Sequence, residues 1–466
     1  MSVDAAATGE RAETPLSAAE LFEAGREARA GLPRSAHADY DPAPDRDPLG
    51  ILRAQHEDRL QDLIDLRVER MSADPFAFYR GTAAIQAADL AAAPDTGAEV
   101  VVCGDAHLGN FGIYRSPENS MVFDINDFDE ATVGPWEWDL KRLLASVVLA
   151  GRSIGLPAER VRETTEAAAS TYRIWLRRSL EAPLYARYFS PAAVKTGAGR
   201  ELLSNDMLKL IDTVMKESRK RTTEHVARKT LETGDDGVLR FVDRPPILRR
   251  AEPQVQDLAQ DAYDRYRETL LPNTALLASQ LRVDDVARRV VGVGSVGTRC
   301  FLIALRGPTG EVVILQLKEA EVSVVERFGG VAALPGYLDL SLLPGEQGYR
   351  VVACQRILQA VSDPFLGFLR VEGFAFYMRQ FRNRNASFDI PAMNPVQFFD
   401  YARMCAAVLA RAHARSPKST FISGYIGSGP SFPRAVTAWA ERYADQAEAD
   451  YAEFVAAARK GFFAVR

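Results

Sequence analysis

Asp105, Asn110 and Asp127 are of the right types to handle a charged oxygen substrate. They lie in EVVVCGDAHLGNFGIYRSPENSMVFDINDFDEATVGPWEWDLKRL, residues 99–142. Asp105 and Asn110 stand five positions apart on one polar loop, and a later segment delivers a cluster of carboxylates, Asp124 at a strand end and Asp127, Asp129 and Glu130 after it. A hard divalent cation takes oxygen ligands, commonly one or two carboxylates together with substrate phosphates. The Asn110 amide and a carboxylate of the later segment suit Mg2+, or Mn2+, in that role. Asp124 and Asp127 are the two candidates for the leading acid. An aspartate left off the metal can accept the proton of an attacking hydroxyl. Arg115 is the one cation near these acids, at some distance. Buried carboxylates without a partner are costly, and a bound metal would relieve that cost. An Asp and an Asn five apart, followed by a metal-holding Asp, is a layout for phosphoryl transfer.

The surrounding pattern supplies elements to hold these groups. The apolar run Val100–Cys103 reads as a buried strand, broken at Gly104-Asp105. Met121–Ile125 reads as a second strand that delivers the acids. Gly134-Pro135 reads as a turn, and a helix begins at Trp136.

GDAHLGN resembles the catalytic loop of the aminoglycoside phosphotransferases and choline kinases, commonly HGDxHxxN. NDFDEATVGPWEWDL resembles their metal-binding segment, commonly IDFxDAxxGxxxYDLA. The resemblance implies Asp105 as base, His107 and Asn110 on the loop, Asp127 as the metal Asp and Asp139 as a structural Asp. Cys103 replaces the first His of the loop, which removes one hydrogen bond of that pattern. The longer run GDAHLGNF…NDFDE…WDLKRL resembles a bacterial family catalogued as domain of unknown function 2252, from about residue 45 onward.

A second motif set follows much later. Gly292, Gly294 and Gly297 form GxGxxG, with Ser295 inside it. A dinucleotide-binding fold would need a helix directly after this motif. Instead Thr298–Leu305 continues as an apolar strand, RGPTG turns the chain, and Val312–Leu317 is another strand. A glycine loop between two strands with a Lys on the third is the kinase arrangement. Lys318 ends that third strand and would reach nucleotide phosphates. Glu326 is the expected carboxylate partner of Lys318, with Glu319 and Glu321 as rivals. YRVVACQRILQ (349–359) and FAFYMRQF (374–381) read as two further strands, the second leading to a hinge that would grip adenine.

Composition sets the outer bounds. The chain has 466 residues, 47% hydrophobic and 26% charged, an ordinary globular balance with ample core. A net charge of −5 gives no general attraction to nucleic acid or to a membrane surface. The four cysteines lack CxxC spacing and read as buried residues of a reducing, cytoplasmic compartment. No apolar run is long enough to span a bilayer, and the N-terminus lacks the pattern of a secretion signal. Residues 1–48 read as a mobile tail. Segments near 49–71, 82–92, 137–153, 158–178, 206–230, 254–282, 395–415 and 435–460 read as helices. Arg80 stands in PFAFYRG beside three aromatics, where a functional role and a capping role are both open. His225 reads as an exposed helix residue.

The order of the motifs is unusual. The catalytic loop and metal Asp precede the glycine loop and Lys318, the reverse of an ordinary kinase. The expected fold is therefore α+β: a kinase-like two-lobed protein, circularly permuted. A small antiparallel β lobe (283–390) would join a larger helical lobe (49–282, completed by 391–466). The expected function is Mg-ATP-dependent phosphoryl transfer to an acceptor that the sequence does not specify. Kinase-like nucleotidyl transfer and non-catalytic nucleotide binding are the alternatives. A metallophosphoesterase ranks last, because none of the five histidines sits in the further His motif such a site needs.

Overall fold

The computed structural model describes residues 16–189, 203–219, 223–290, 292–331, 338, 346–381 and 385–463. The stretch 99–142 folds as a tight unit. Strand β1 (Glu99–Val102) pairs antiparallel with β4 (Thr132–Pro135), Val101 opposite Val133. Between them β2 (Phe111–Arg115) and β3 (Met121–Ile125) form a hairpin, Phe111 opposite Ile125. Gly134-Pro135, expected as a turn, is the end of β4 and leads straight into helix Trp136–Ser153. Nearly every residue of that helix is buried. Helices Ala158–Glu181, Pro395–His413 and Ser431–Arg459 pack around it. Trp136 stacks on Tyr172 at 5.9 Å between ring centroids, inside the main hydrophobic core.

A small hairpin, β5 (Leu231–Thr233) with β6 (Leu239–Phe241), precedes the largest sheet. That sheet contains β7 (Leu248–Arg250), β8 (Arg282–Arg289), β9 (Cys300–Arg306), β10 (Val312–Glu319), β11 (Gly367–Val371) and β12 (Phe374–Gln380). Its spatial order is β11-β12-β10-β9-β8-β7, antiparallel throughout. Helix Pro253–Arg267 packs on it through Tyr263 and Tyr266, with Val286, Ile303 and Leu317 in the shared core. The boundary expected at 283 therefore falls too late. β7 and helix Pro253–Arg267 belong with the sheet, because the apolar face of β8 needs that helix to cover it.

Two further expectations need correction. Residues 349–359, read as a strand, form part of helix Gln347–Leu358. Arg350, Val351, Cys354, Gln355 and Leu358 are buried in it, a helical spacing that a run rich in Val and Ile obscures. Residues 16–48, read as mobile tail, include helix Ala18–Glu27, which Ser17 and Glu20 close with a capping box. Its contact with helix Ser419–Ile426 is backbone to backbone. A Cβ on Gly25 would stand 2.1 Å from the Phe421 carbonyl, and one on Gly424 would stand 2.1 Å from the Phe22 carbonyl. Arg29 Nε and Arg34 Nη1 then donate to the carbonyls of Tyr425 and Ile426. Residues 1–15 lie outside the described residues. Among the described residues no helix is long and apolar enough to cross a membrane. All four cysteines are buried thiols.

Candidate active site

The loop after β1 is held from beneath by Asp139. Its Oδ2 accepts from the Cys103 amide at 2.8 Å and its Oδ1 from the Gly104 amide at 2.9 Å. His413 Nε2 stands 3.2 Å from Oδ2, and His413 Nδ1 accepts from the Tyr172 hydroxyl at 2.8 Å. Gly104 adopts φ +75°, and a Cβ there would fall 2.2 Å from the Glu130 carbonyl, so this turn needs glycine. His107 Nδ1 accepts from the Gly109 amide, capping the turn Leu108–Asn110. Burial pushes the His107 pKa well below its usual range, with Arg80 and Arg142 adding to the effect. The imidazole is thus neutral, with its proton on Nε2, 3.8 Å from Asp105 Oδ2. Asn110 Nδ2 donates to the Asp105 carbonyl at 2.7 Å, which orients the amide oxygen away from that bond.

Asp105 is not isolated from cations, contrary to expectation. Arg142, one turn along the helix from Asp139, donates from Nε to Asp105 Oδ1 at 2.8 Å. Burial nevertheless holds the Asp105 pKa above the ordinary aspartate value, Arg142 opposing. A carboxylate raised in this way is a better proton acceptor than a free one.

The acidic loop after β3 is fixed by a buried arginine on helix Gln347–Leu358. Arg350 donates to the carbonyls of Asp129 (2.9 Å), Glu321 (2.8 Å) and Ala131. Gln359 Nε2 donates to the Ile125 carbonyl at 2.7 Å. The loop then turns Asp127, Asp129 and Glu130 into a cleft. Burial raises the Glu130 carboxyl to about 7, even though the Val324 amide donates to it. Asp124, named as a metal candidate, does not line this cleft. It is buried at the end of β3, within the field of Arg415 and Arg411. Period-two alternation along the strand separates it from the side chains beyond Ile125.

The opposite wall is the sheet. Its glycine loop links β8 to β9, as expected, and is clamped by two arginines of the N-terminal region, Arg59 just after helix Pro48–Glu57 and Arg67 on helix Ile64–Met71. Arg59 Nη1 donates to the Val296 carbonyl at 2.6 Å and Arg67 Nη1 to the Gly294 carbonyl at 2.6 Å. Gly297 has φ +94° and its carbonyl accepts from the Leu60 amide at 2.8 Å. Lys318 on β10 lies opposite Tyr377 on β12, so both side chains share one face. That face meets the acidic loop. Lys318 Nζ is 2.6 Å from Asp129 Oδ2 and 3.5 Å from Asp127 Oδ1. The Tyr377 hydroxyl donates to Asp129 Oδ1 at 2.6 Å, and Ser295 Oγ to Asp129 Oδ2 at 3.2 Å. Burial alone would lower the Lys318 pKa, but Asp127 and Asp129 carry it well above the usual lysine value. The partner of Lys318 is therefore Asp129, not Glu326. Glu326 sits on the short helix Val324–Arg327 and does not line the cleft. Glu319 is engaged by Arg299 at 2.9 Å.

The cleft has a volume of about 220 Å³. Asp105, His107, Asn110 and Asp127 line one side of it, and Gly292, Gly294, Ser295 and Lys318 the other. Among the described residues no group of three or more His, Cys, Asp or Glu side chains has metal-site geometry. A cation sharing its coordination with substrate phosphates needs fewer protein ligands. One observation fits that demand: Asp127 Oδ1 is buried with no hydrogen-bond partner. Asp127 and Asn110 are the side chains that would hold such an ion.

These features define a mixed α+β protein with small antiparallel sheets and a polar cleft where carboxylates and a buried lysine face each other. Residues 59–457 match the family described as an uncharacterized protein conserved in bacteria (DUF2252), and the chain belongs to that family. No curated protein and no solved structure matches it.

Proposed function

We propose that this protein is an ATP-dependent phosphotransferase that works with Mg2+ or Mn2+, on a two-lobed, circularly permuted kinase-like framework. One observation carries the reading. Two motif sets far apart in the sequence, Asp105/Asn110/Asp127 and the glycine loop with Lys318, line opposite sides of one cleft, with 3.5 Å between Lys318 and Asp127. Phosphoryl transfer needs positioning and charge stabilisation more than covalent chemistry. Lys318 and the glycine loop are suited to orient the phosphates. A divalent cation, when bound at Asn110 and Asp127, neutralises phosphate charge. Asp105, held by Arg142 and raised by burial, accepts the proton of the acceptor hydroxyl. His107, neutral and engaged through Nδ1, keeps the loop in shape rather than relaying a proton.

A thermal-shift screen of nucleotides with Mg2+ or Mn2+ tests this, since a ligand that binds the native state raises the melting temperature. Stabilisation by ATP that depends on the metal, with ADP formed on turnover, is the expected result. Release of pyrophosphate instead would indicate nucleotidyl transfer. No stabilisation by any nucleotide with either metal would defeat the reading.

A further inference from the structure

The cleft contains more cations than the nucleotide reading uses, and their partners differ. Arg59 and Arg67 are engaged by the carbonyls of the glycine loop. Arg142 is engaged by Asp105, and Lys318 by Asp129. Arg379 donates to the Asn126 carbonyl at 3.1 Å. Arg80 is the exception. It follows helix Pro75–Tyr79, lines the cleft, and its Nε is buried without a hydrogen-bond partner. Among the described residues its guanidinium has no ion-pair partner, although Asp105 and Asp127 lie within its electrostatic reach. The side chain is partly exposed to the cleft with its Nε buried, and its planar fork of donors matches the oxygens of a phosphate.

Its position is specific. A Cβ on Gly109 would stand 3.3 Å from Arg80 Nε, and one on Gly294 would stand 3.2 Å from the Arg80 carbonyl. Arg80 thus lies where the catalytic loop and the glycine loop approach each other, beside Asp105. The small residue at 109 leaves room for the guanidinium over the loop.

We propose that Arg80 is an oxyanion-binding residue of the cleft, holding a phosphate-type group next to Asp105. This rests on the phosphotransferase reading of the same cleft. Two sources supply that chemistry: the terminal phosphoryl group of the nucleotide, or an acidic group on the acceptor. The fork geometry and the site between the two loops are common to both.

Calorimetric titration of the full chain separates them, with Mg–ADP, Mg–AMP-PNP and inorganic phosphate as probes and Arg80→Met and Arg80→Lys as variants. If Arg80→Met binds Mg–ADP as the unsubstituted protein does but loses on the order of tenfold or more for Mg–AMP-PNP, Arg80 holds the terminal phosphoryl group. If both nucleotides bind normally and phosphate binding in the presence of Mg–ADP is lost, Arg80 holds the acceptor's anion. Arg80→Lys restores part of the affinity in either case. Normal binding of all three probes by Arg80→Met overturns the proposal and leaves the nucleotide reading standing. If the unsubstituted protein binds no nucleotide, that reading fails. Phosphate binding that depends on Arg80 would then still support the anion site, and its absence would overturn it. The melting temperature without ligand guards against a merely structural role. Removing an unpaired cation should leave it unchanged or raised. A lowered value, with binding lost and not rescued by lysine, would overturn the assignment.

Discussion

Lys318 Nζ donates to Asp129 Oδ2 at 2.6 Å, across 189 positions of the chain. The bond joins β10 of the six-stranded sheet to the acidic loop after β3. Tyr377, opposite Lys318 in register, donates to the other oxygen of the same carboxylate. Asp127 is left with its Oδ1 unpaired by any hydrogen bond, on the cleft side of this cluster. Asp129 is hydrogen-bonded to the lysine, whereas Asp127, 3.5 Å from it, accepts no hydrogen bond at Oδ1.

That division of labour predicts different outcomes at neighbouring acids. Asp127→Asn should weaken metal-dependent nucleotide binding, on the order of tenfold or more, because a carboxylate ligand is lost. Asp124→Asn, away from the cleft beside Arg411 and Arg415, should leave that affinity unchanged. Calorimetry with Mg–ATP reads both, and equal affinities for Asp127→Asn and the unsubstituted chain would remove Asp127 from the cation site.

Asp105→Asn should keep nucleotide affinity while turnover falls by about 10²–10⁴-fold, the range for a positioned general base. The variant retains an oxygen to accept from Arg142, so the loop should hold its shape. Steady-state kinetics with a thermal melt as control tests this. Undiminished turnover would exclude Asp105 from proton transfer.

Lys318→Ala should cost roughly 2 kcal/mol of stability. This is below the range for a fully dry pair, because the Asp129 side chain is 23% exposed. Adding Asp129→Ala should recover part of the loss, since the stranded carboxylate goes with it. Urea unfolding of the double-mutant cycle gives the coupling, and strict additivity would contradict the pairing described here.

Glu130 makes stability depend on pH. Burial raises its carboxyl from 4.5 to about 7 in the folded chain. The native state therefore holds a proton that the unfolded chain releases near 4.5. The associated stability is fully present below that value and is lost as pH rises through about 7, by roughly 3 kcal/mol. Glu130→Gln keeps an acceptor for the Val324 amide and should flatten this part of the curve. Denaturant unfolding at pH 5, 6, 7 and 8 shows it, and parallel curves for the two proteins would contradict the shift.

Local pattern was enough to read several parts of this molecule. Val100–Val102 is a strand because an apolar run ended by Gly-Asp suits a buried strand, and the carboxylate, amide and glycine spacings mark the two loops. β9 and β10 follow from β-branched runs on either side of RGPTG, which also place Lys318 at the end of the second of these strands. The bounds of helix Pro395–His413 lie within two residues of the segment read, because Asn394 and Pro395 signal its start.

Tertiary structure alone decided which charges meet. Arg142 reaches Asp105 because helix Trp136–Ser153 carries Asp139 under the loop and Arg142 beside it; the spacing of those two residues was the available signal. Asp129 rather than Glu326 takes Lys318 because Arg350 folds the acidic loop toward the sheet, a contact no local pattern encodes. The helix at 347–358 was hidden because buried helices and buried strands look alike when both faces are apolar. The docking of Ala18–Glu27 was hidden because its contact is made by Gly25 and Gly424, and close backbone approach leaves no hydrophobic stripe to read. Residue types and spacing name the chemistry available to this chain, while pairing of buried charges depends on long-range packing, which one sequence does not express.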